Sequence, residues 1–138
     1  MLVDTTVWSL AFRRRTGDLA GRDRAIFDEW AWLVRSGQAE LIGPIRQELL
    51  SGLRREPDFD RVRRELGKFL DIPLTREDFE EAARCTNRCI ARGVAVSSVD
   101  ALICAAALRR GIPIYTLDED FKRYAGVLPI RLHRTPAG

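Results

Sequence analysis

The sequence has one histidine, His133, and two lysines, Lys68 and Lys122. A single histidine near the C-terminal end, with no GxSxG turn around any serine, leaves Ser-His-Asp hydrolysis little support. There is no P-loop and no GxGxxG, so nucleotide-binding α/β folds lose their main signature. The three cysteines, Cys85, Cys89 and Cys104, form no CxxC pair and no secreted disulfide framework. Free thiols in a reducing cytoplasm are the simple account of them. A zinc site using them with His133 would lack the usual paired spacing. No apolar run is long enough to span a bilayer, and no basic stretch followed by a long apolar run opens the chain. A cytoplasmic protein with no membrane partner and no signal peptide is the expectation.

What is there suits one compact domain over residues 1–138, with 46% apolar residues to build its core. The net charge is +3 and the pI about 9.0. Almost all of the positive charge is arginine, which suits phosphate and planar stacking. A genome-wide arginine bias explains the same excess, so composition supports nucleic acid only weakly.

The chain centres on residues 94–110, VAVSSVDALICAAALRR. Eight consecutive apolar residues follow Asp100, which predicts a helix buried on nearly every side. Ser97 or Ser98 is suited to cap it. Before it, residues 1–7 read as a strand interrupted by Asp4, with a helical turn at 8–12 and a basic loop at 13–15. Residues 22–35 read as a helix stopped by Gly37, with Trp30 in the core and Trp32 off the apolar stripe. A second strand is expected at 39–42. Helices are expected after Gly43-Pro44, with Ile45, Leu49 and Leu53 inward, and after Pro57, with Phe59, Val62, Leu66 and Phe69 inward. A brief strand at 72–74 leads to a capping box of Thr75 and Asp78 and a helix ending at Gly93. Phe79, Ala82, Ala83, Cys89 and Ile90 are expected on that helix's apolar face, and Arg84, Arg88 and Arg92 on a solvated one. After the central helix come strands at 112–117 and 127–132, with a short helix through Tyr124 between them, and a frayed end. Strands alternating with helices predict an α/β domain with a mainly parallel sheet covered on both faces.

The chemistry-bearing residues are acids at element boundaries. Asp4 ends the first strand, Glu48 lies early in a helix, Asp100 falls in the first turn of the buried helix, and Asp118 and Asp120 follow the late strand. In a parallel α/β sheet, ligands bind beyond the carboxyl ends of the strands, where all five are expected. Carboxylates brought together repel, and a bound Mg²⁺ or Mn²⁺ reverses the repulsion. A metal site follows, with some ligands acting through water. Each acid has a structural alternative. Ser97-x-x-Asp100 fits a capping box, Asp118 and Asp120 suit a turn, and Glu48 suits a solvated helix face. Asp4 in an apolar strand has the weakest alternative.

Four segments carry a resemblance to a known family. Leu2-Val3-Asp4-Thr5-Thr6-Val7-Trp8 resembles the opening strand of PIN-domain proteins, and Ser98-Val99-Asp100-Ala101-Leu102-Ile103-Cys104-Ala105-Ala106 their central helix. Tyr115-Thr116-Leu117-Asp118-Glu119-Asp120-Phe121 resembles their late strand, and Pro44-Ile45-Arg46-Gln47-Glu48-Leu49 the helix bearing the remaining acid. Size and motif order over nearly the whole chain are similar to the VapC toxins of type II toxin–antitoxin pairs.

The resemblance implies a PIN-like three-layer α/β/α fold with a mainly parallel central sheet of four or five strands. It also implies a Mg²⁺- or Mn²⁺-dependent endoribonuclease. Asp4, Glu48, Asp100 and Asp118 would form the catalytic quartet, with metal held by Asp4, Asp100, Asp118 and the auxiliary Asp120. Thr6 and Thr116 would hold carboxylates or water. Gln47 stands where many relatives carry a second acid. A homodimer, an RNA substrate, a cognate antitoxin and operator DNA reached only through that antitoxin are further implications. A housekeeping PIN nuclease in RNA processing and a catalytically silent PIN binding module are the rival readings. A haloacid-dehalogenase-type phosphatase would need an aspartate where Thr6 stands.

Overall fold

The structure is a computed structural model that describes residues 1–13 and 19–134. Its helices are α1 (Thr5–Arg13), α2 (Gly21–Arg35), α3 (Gly43–Ser51), α4 (Glu56–Leu66), α5 (Arg76–Ala91), α6 (Ser98–Arg110) and α7 (Asp120–Ala125). The strands are β1 (Leu2–Val3) and β2 (Ile114–Tyr115), paired in parallel with Leu2 opposite Ile114 and Val3 opposite Tyr115. Single parallel bridges widen this ladder, Leu2 to Glu40 and Leu41 to Asp71 on one side, Ile114 to Leu132 on the other. The architecture is the three-layer α/β/α arrangement expected, with a shorter sheet.

The segments expected as strands at 39–42 and 127–132 join the sheet only as single bridges, and that expected at 72–74 only through the bridge at Asp71 and the Ile72 amide on the Leu41 carbonyl. Pro73 and Pro129 remove a backbone donor from two of them, which limits ladder formation. The first strand is also shorter than expected. Thr5, Thr6 and Val7 belong to α1, because the Asp4 carbonyl accepts from the amides of Val7 and Trp8 at 3.1 and 3.3 Å. Fully buried Val7 and Trp8 hold that turn in the core, and packing overrides the strand preference of the β-branched residues.

Core formation is dominated by aromatic and branched side chains. Trp8 stacks on Phe12 and meets Trp30 and Phe69 edge-on, at centroid separations of 5.7 and 5.1 Å. Each such pair contributes about 0.5–1.5 kcal/mol beyond its buried area. This cluster ties α1 to α2 and to the end of α4, and places Trp30 against the core while Trp32 stays exposed. On the other side α5 packs along α6. Ala101 and the run Ile103–Ala107 are buried there, so the helix is enclosed as its sequence predicts. Gly111 closes α6 in the left-handed region at φ 64, where a side chain would be strained.

The inward face of α5 differs from the expectation. It is Asp78, Ala82, Cys85 and Cys89, while Phe79, Ala83 and Ile90 lie exposed. Asp78 is fully buried. Its Oδ2 accepts from the Thr75 amide at 2.8 Å, as the capping box predicts, and from Arg110 at 2.9 Å. Its Oδ1 accepts from Arg109 at 2.6 Å and Arg110 at 2.8 Å. Two guanidinium groups therefore neutralise the carboxylate and lock α5 to the C-terminal end of α6. Arg110's hydrogen bonds do most to hold the Asp78 carboxyl well below the usual carboxylate range, against the opposing effect of burial. Taking α5 round to this face is the physical reason Phe79 and Ile90 turn outward.

The basic cluster expected at 13–15 lies largely outside the described residues, as does the frayed end at 135–138. Among the described residues, no helix is long and apolar enough to cross a membrane.

Candidate active site

β1 and β2 end side by side, and the acids collect at their carboxyl ends. Asp4 follows β1 directly, and its amide donates to the Tyr115 carbonyl at 2.8 Å. The side chain is 4% exposed, a costly place for a carboxylate without partners. Its Oδ2 accepts from the hydroxyls of Thr6 at 2.9 Å and Thr116 at 2.7 Å. Each threonine also works in the other direction. Thr6 Oγ1 accepts from the Leu117 amide and Thr116 Oγ1 from the Asp118 amide, both at 3.0 Å. The two hydroxyls thus fasten Asp4 to the turn that carries Asp118.

Asp118 Oδ1 accepts from the Asp120 amide at 2.9 Å, an Asx turn that opens α7. Asp120 has a cation partner of its own. Its Oδ1 pairs with Arg123 at 2.5 Å and the side chain is half-exposed.

Asp100 sits in the first turn of α6. Ser97 is the N-cap, and its hydroxyl accepts from the Asp100 amide at 3.1 Å. The Asp100 carboxylate does not turn back to complete a capping box. Its Oδ2 accepts from the Tyr124 hydroxyl of α7 at 2.7 Å. Burial raises the Asp100 pKa most, the Tyr124 hydrogen bond lowers it, and the charges of Asp4, Asp118 and Glu48 raise it further. Tyr124 is almost fully buried, and its hydroxyl is pushed up by burial and by the Asp100 hydrogen bond, so it stays a donor.

Glu48 is exposed on α3, the helix opened by Gly43-Pro44 after the Leu41 bridge. Thr5, in the first turn of α1, donates to Glu48 Oε1 at 2.7 Å. The structure therefore brings Asp4, Asp100, Asp118 and Glu48 within electrostatic reach of one another, with Thr6 and Thr116 on Asp4. Asp120 is not among the acids that bear on Asp100. Thr5 and Tyr124 went unforeseen. The hydroxyl pair after Asp4 was a signal for the first, and a tyrosine four residues after the acid that opens α7 was a signal for the second.

One pattern is common to the four acids. Asp4 Oδ2, Asp100 Oδ2, Asp118 Oδ1 and Glu48 Oε1 each take a protein donor. Among the described residues the second oxygen of each takes none. Such half-tethered carboxylates are oriented yet keep a lone-pair face for a further partner. Hard oxygen donors of net negative charge suit Mg²⁺ or Mn²⁺. Among the described residues, no three metal-binding side chains are already gathered tightly enough to close on one ion. Mg²⁺ commonly keeps several waters and few carboxylates, so the donor set still fits it.

The zinc alternative finds no support. Cys85, Cys89 and Cys104 are buried free thiols at the α5–α6 interface, and His133 pairs with Glu29 and lies edge-on to Tyr115.

The PIN domain family profile matches residues 1–127. No curated protein matches the sequence. Among solved structures, the chain is similar to one in FitAcB from Neisseria gonorrhoeae, with TM-score 0.72 and 18% identity over 97% of this chain and 96% of that one. It is similar to a chain of VapBC2 from Rickettsia felis, solved bound to a DNA fragment from their promoter, with TM-score 0.69 and 13% identity over 96% of both chains. A chain of VapBC-1 from nontypeable Haemophilus influenzae gives TM-score 0.61 and 12% identity over 96% of this chain and 95% of that one.

Proposed function

The chain belongs to the PIN domain family, and from that premise we propose that it is a divalent-metal-dependent endoribonuclease, the toxin of a type II toxin–antitoxin pair. The observation that carries the reading is the set of four half-tethered acids at the carboxyl ends of β1 and β2. A structural acid is normally satisfied by its own element or by a cation, as Asp78 is. These four are held by hydroxyls and an amide and by no cation, three of them across separate elements, which orients them without neutralising them.

Asp4, Asp100 and Asp118 are the residues that would hold Mg²⁺ or Mn²⁺, with Asp120 auxiliary and Glu48 at the exposed lip. The chemistry these residues would gain from a bound divalent cation is Lewis acidity toward phosphoryl oxygens and a lowered pKa for water. The chain's own contribution is positional. Thr6 and Thr116 fix Asp4, Tyr124 fixes Asp100, Thr5 fixes Glu48, and the Asx turn fixes Asp118. No side-chain nucleophile is required, in keeping with a single histidine engaged by Glu29.

RNA is the proposed substrate. A homodimer, a cognate antitoxin and operator DNA reached through that antitoxin are the proposed partners. Support comes from fold similarity to chains of VapBC complexes, one of them solved with promoter DNA. A catalytically silent groove is the second reading, favoured by the lack of a ready-made three-ligand cluster among the described residues.

The test is cleavage of a mixed cellular RNA pool by antitoxin-free protein with Mg²⁺, with Mn²⁺ and with EDTA, beside Asp100→Asn. Metal-dependent cuts that vanish in the variant are the expected result. Calorimetric Mn²⁺ titration then separates the readings. Binding without cuts points to a specific target missing from the pool, and neither binding nor cuts leaves the silent groove.

A further inference from the structure

Beside the acids lies a cavity of about 450 Å³, lined by Arg22, Thr116, Leu117, Asp118, Glu119, Lys122, Leu132, His133 and Arg134. Its size is within the ~300–1,000 Å³ usual for ligand sites. Asp118 and Thr116 belong to both the acid cluster and this cavity, so the two are continuous.

The lining carries both signs of charge. Asp118 brings the acid shared with the cluster, and Glu119 and Lys122 offset one another at 2.7 Å. Arg22 and Arg134 have no carboxylate partner among the described residues. They come from opposite ends of the chain, so their meeting at one cavity owes nothing to local sequence. Arg22 stands in the first turn of α2, whose N-cap, Ala20, offers no side-chain acceptor to the helix amides. The positive end of that helix therefore adds to the guanidinium charge. Leu117, Leu132 and the half-buried His133 ring supply apolar surface in the same lining.

An anion is repelled by Asp118 unless a cation intervenes, and is attracted by the two arginines. A polyanionic chain of alternating phosphate and ring suits a lining of two guanidinium groups and apolar surface. We propose that this cavity is a subsite for the RNA backbone. In it Arg22 and Arg134 take the phosphate neighbouring the one addressed by the acids, and Leu117, Leu132 and His133 face the intervening sugar and base. The assignment rests on the endoribonuclease reading for the identity of the chain bound.

Binding is measured apart from cleavage. A fluorescent random-sequence single-stranded RNA 12-mer is titrated with full-length protein in EDTA across a salt series, reading anisotropy. The proteins are the parent, Arg22→Ala/Arg134→Ala, and Arg88→Ala/Arg92→Ala on exposed α5. The first double variant binds about tenfold more weakly, and its salt slope falls by about 0.7, the value for one phosphate on a single strand. The α5 variant matches the parent. Circular dichroism confirms folding of both. Equal affinity and slope for the parent and Arg22→Ala/Arg134→Ala overturn the subsite, as does an equal loss in the α5 variant. A parent that binds with this arginine dependence yet neither takes up Mn²⁺ by calorimetry nor cuts the RNA pool with it overturns the nuclease reading alone. A parent that does not bind RNA in EDTA overturns the subsite and leaves the nuclease reading to the Mn²⁺ titration and the cleavage assay.

Discussion

Tyr124 donates its hydroxyl to Asp100 Oδ2 at 2.7 Å, joining the last helix to the first turn of the most buried one. The bond answers the question raised by the Ser97-x-x-Asp100 spacing. The cap is made by the Asp100 backbone, and the carboxylate is left for other work.

Cap and carboxylate are therefore separable by mutation. Ser97→Ala loses about 1 kcal/mol of stability, or about 3–5 °C in melting temperature, and keeps RNA cleavage. Asp100→Asn keeps the Ser97 bond to its amide and melts close to the parent, but loses cleavage. A melting scan beside a cleavage assay checks both. Equal activity of Asp100→Asn and the parent would mean that the carboxylate is structural.

Tyr124→Phe removes only the hydroxyl that meets Asp100. The ring packing on Phe121, at 5.1 Å between centroids, is retained. Cleavage falls about 10–100-fold, as for other residues that orient a metal-binding group. Mn²⁺ affinity falls with it, which a purely structural tyrosine would not alter. Titration calorimetry on the variant reads the difference.

The Asp78 latch makes a pH-dependent contribution of known sign. Its carboxyl is held below the ordinary range in the folded state, chiefly by Arg110, and returns to ~3.9 on unfolding. The stabilisation is complete above that value and is lost as pH falls below it. Between pH 5 and 2 the parent loses more stability than Asp78→Asn, as denaturant titrations at each pH will show. At neutral pH, Asp78→Ala costs about 3 kcal/mol, the low end for a broken buried ion pair, since both arginines retain access to water.

The cysteines are predicted to be inert. Burial pushes Cys85 up to about 11, with Glu81 adding to the effect, and raises Cys89 and Cys104 as well. A disulfide reagent at pH 8 should label the folded protein about 100-fold more slowly than the unfolded chain, where three thiols react.

The sites legible in the sequence are those fixed by local chemistry. Asp4 at a strand end, Ser97 before an alanine-rich run and the Thr75/Asp78 box each announce themselves within a few residues. The six-residue α7 likewise follows from the acids that open it. What was hidden depends on distant partners. Arg109 and Arg110 lie more than thirty positions from Asp78, and their pull sets which side of α5 is inward. Counting apolar residues on the helical wheel put Phe79 and Ile90 inside, whereas they are 53% and 64% exposed. Thr5 and Tyr124 escaped because a hydroxyl reveals its partner only after the elements have met. The sheet was overestimated for a related reason, as packing around Trp8 drew the residues after Asp4 into a helix.

The pairing of β1 with β2 joins residues 2 and 3 to residues 114 and 115. Asp4 gains its two hydroxyl partners only when Thr116 arrives beside Thr6. A contact of that sequence separation forms late and closes a long loop. During synthesis, then, the emerging chain carries its first acid from the outset but cannot orient it. Only after Thr116 and Asp118 have left the ribosome can the site take shape. On the proposed ribonuclease reading, a chain built this way spares the message from which it is being read.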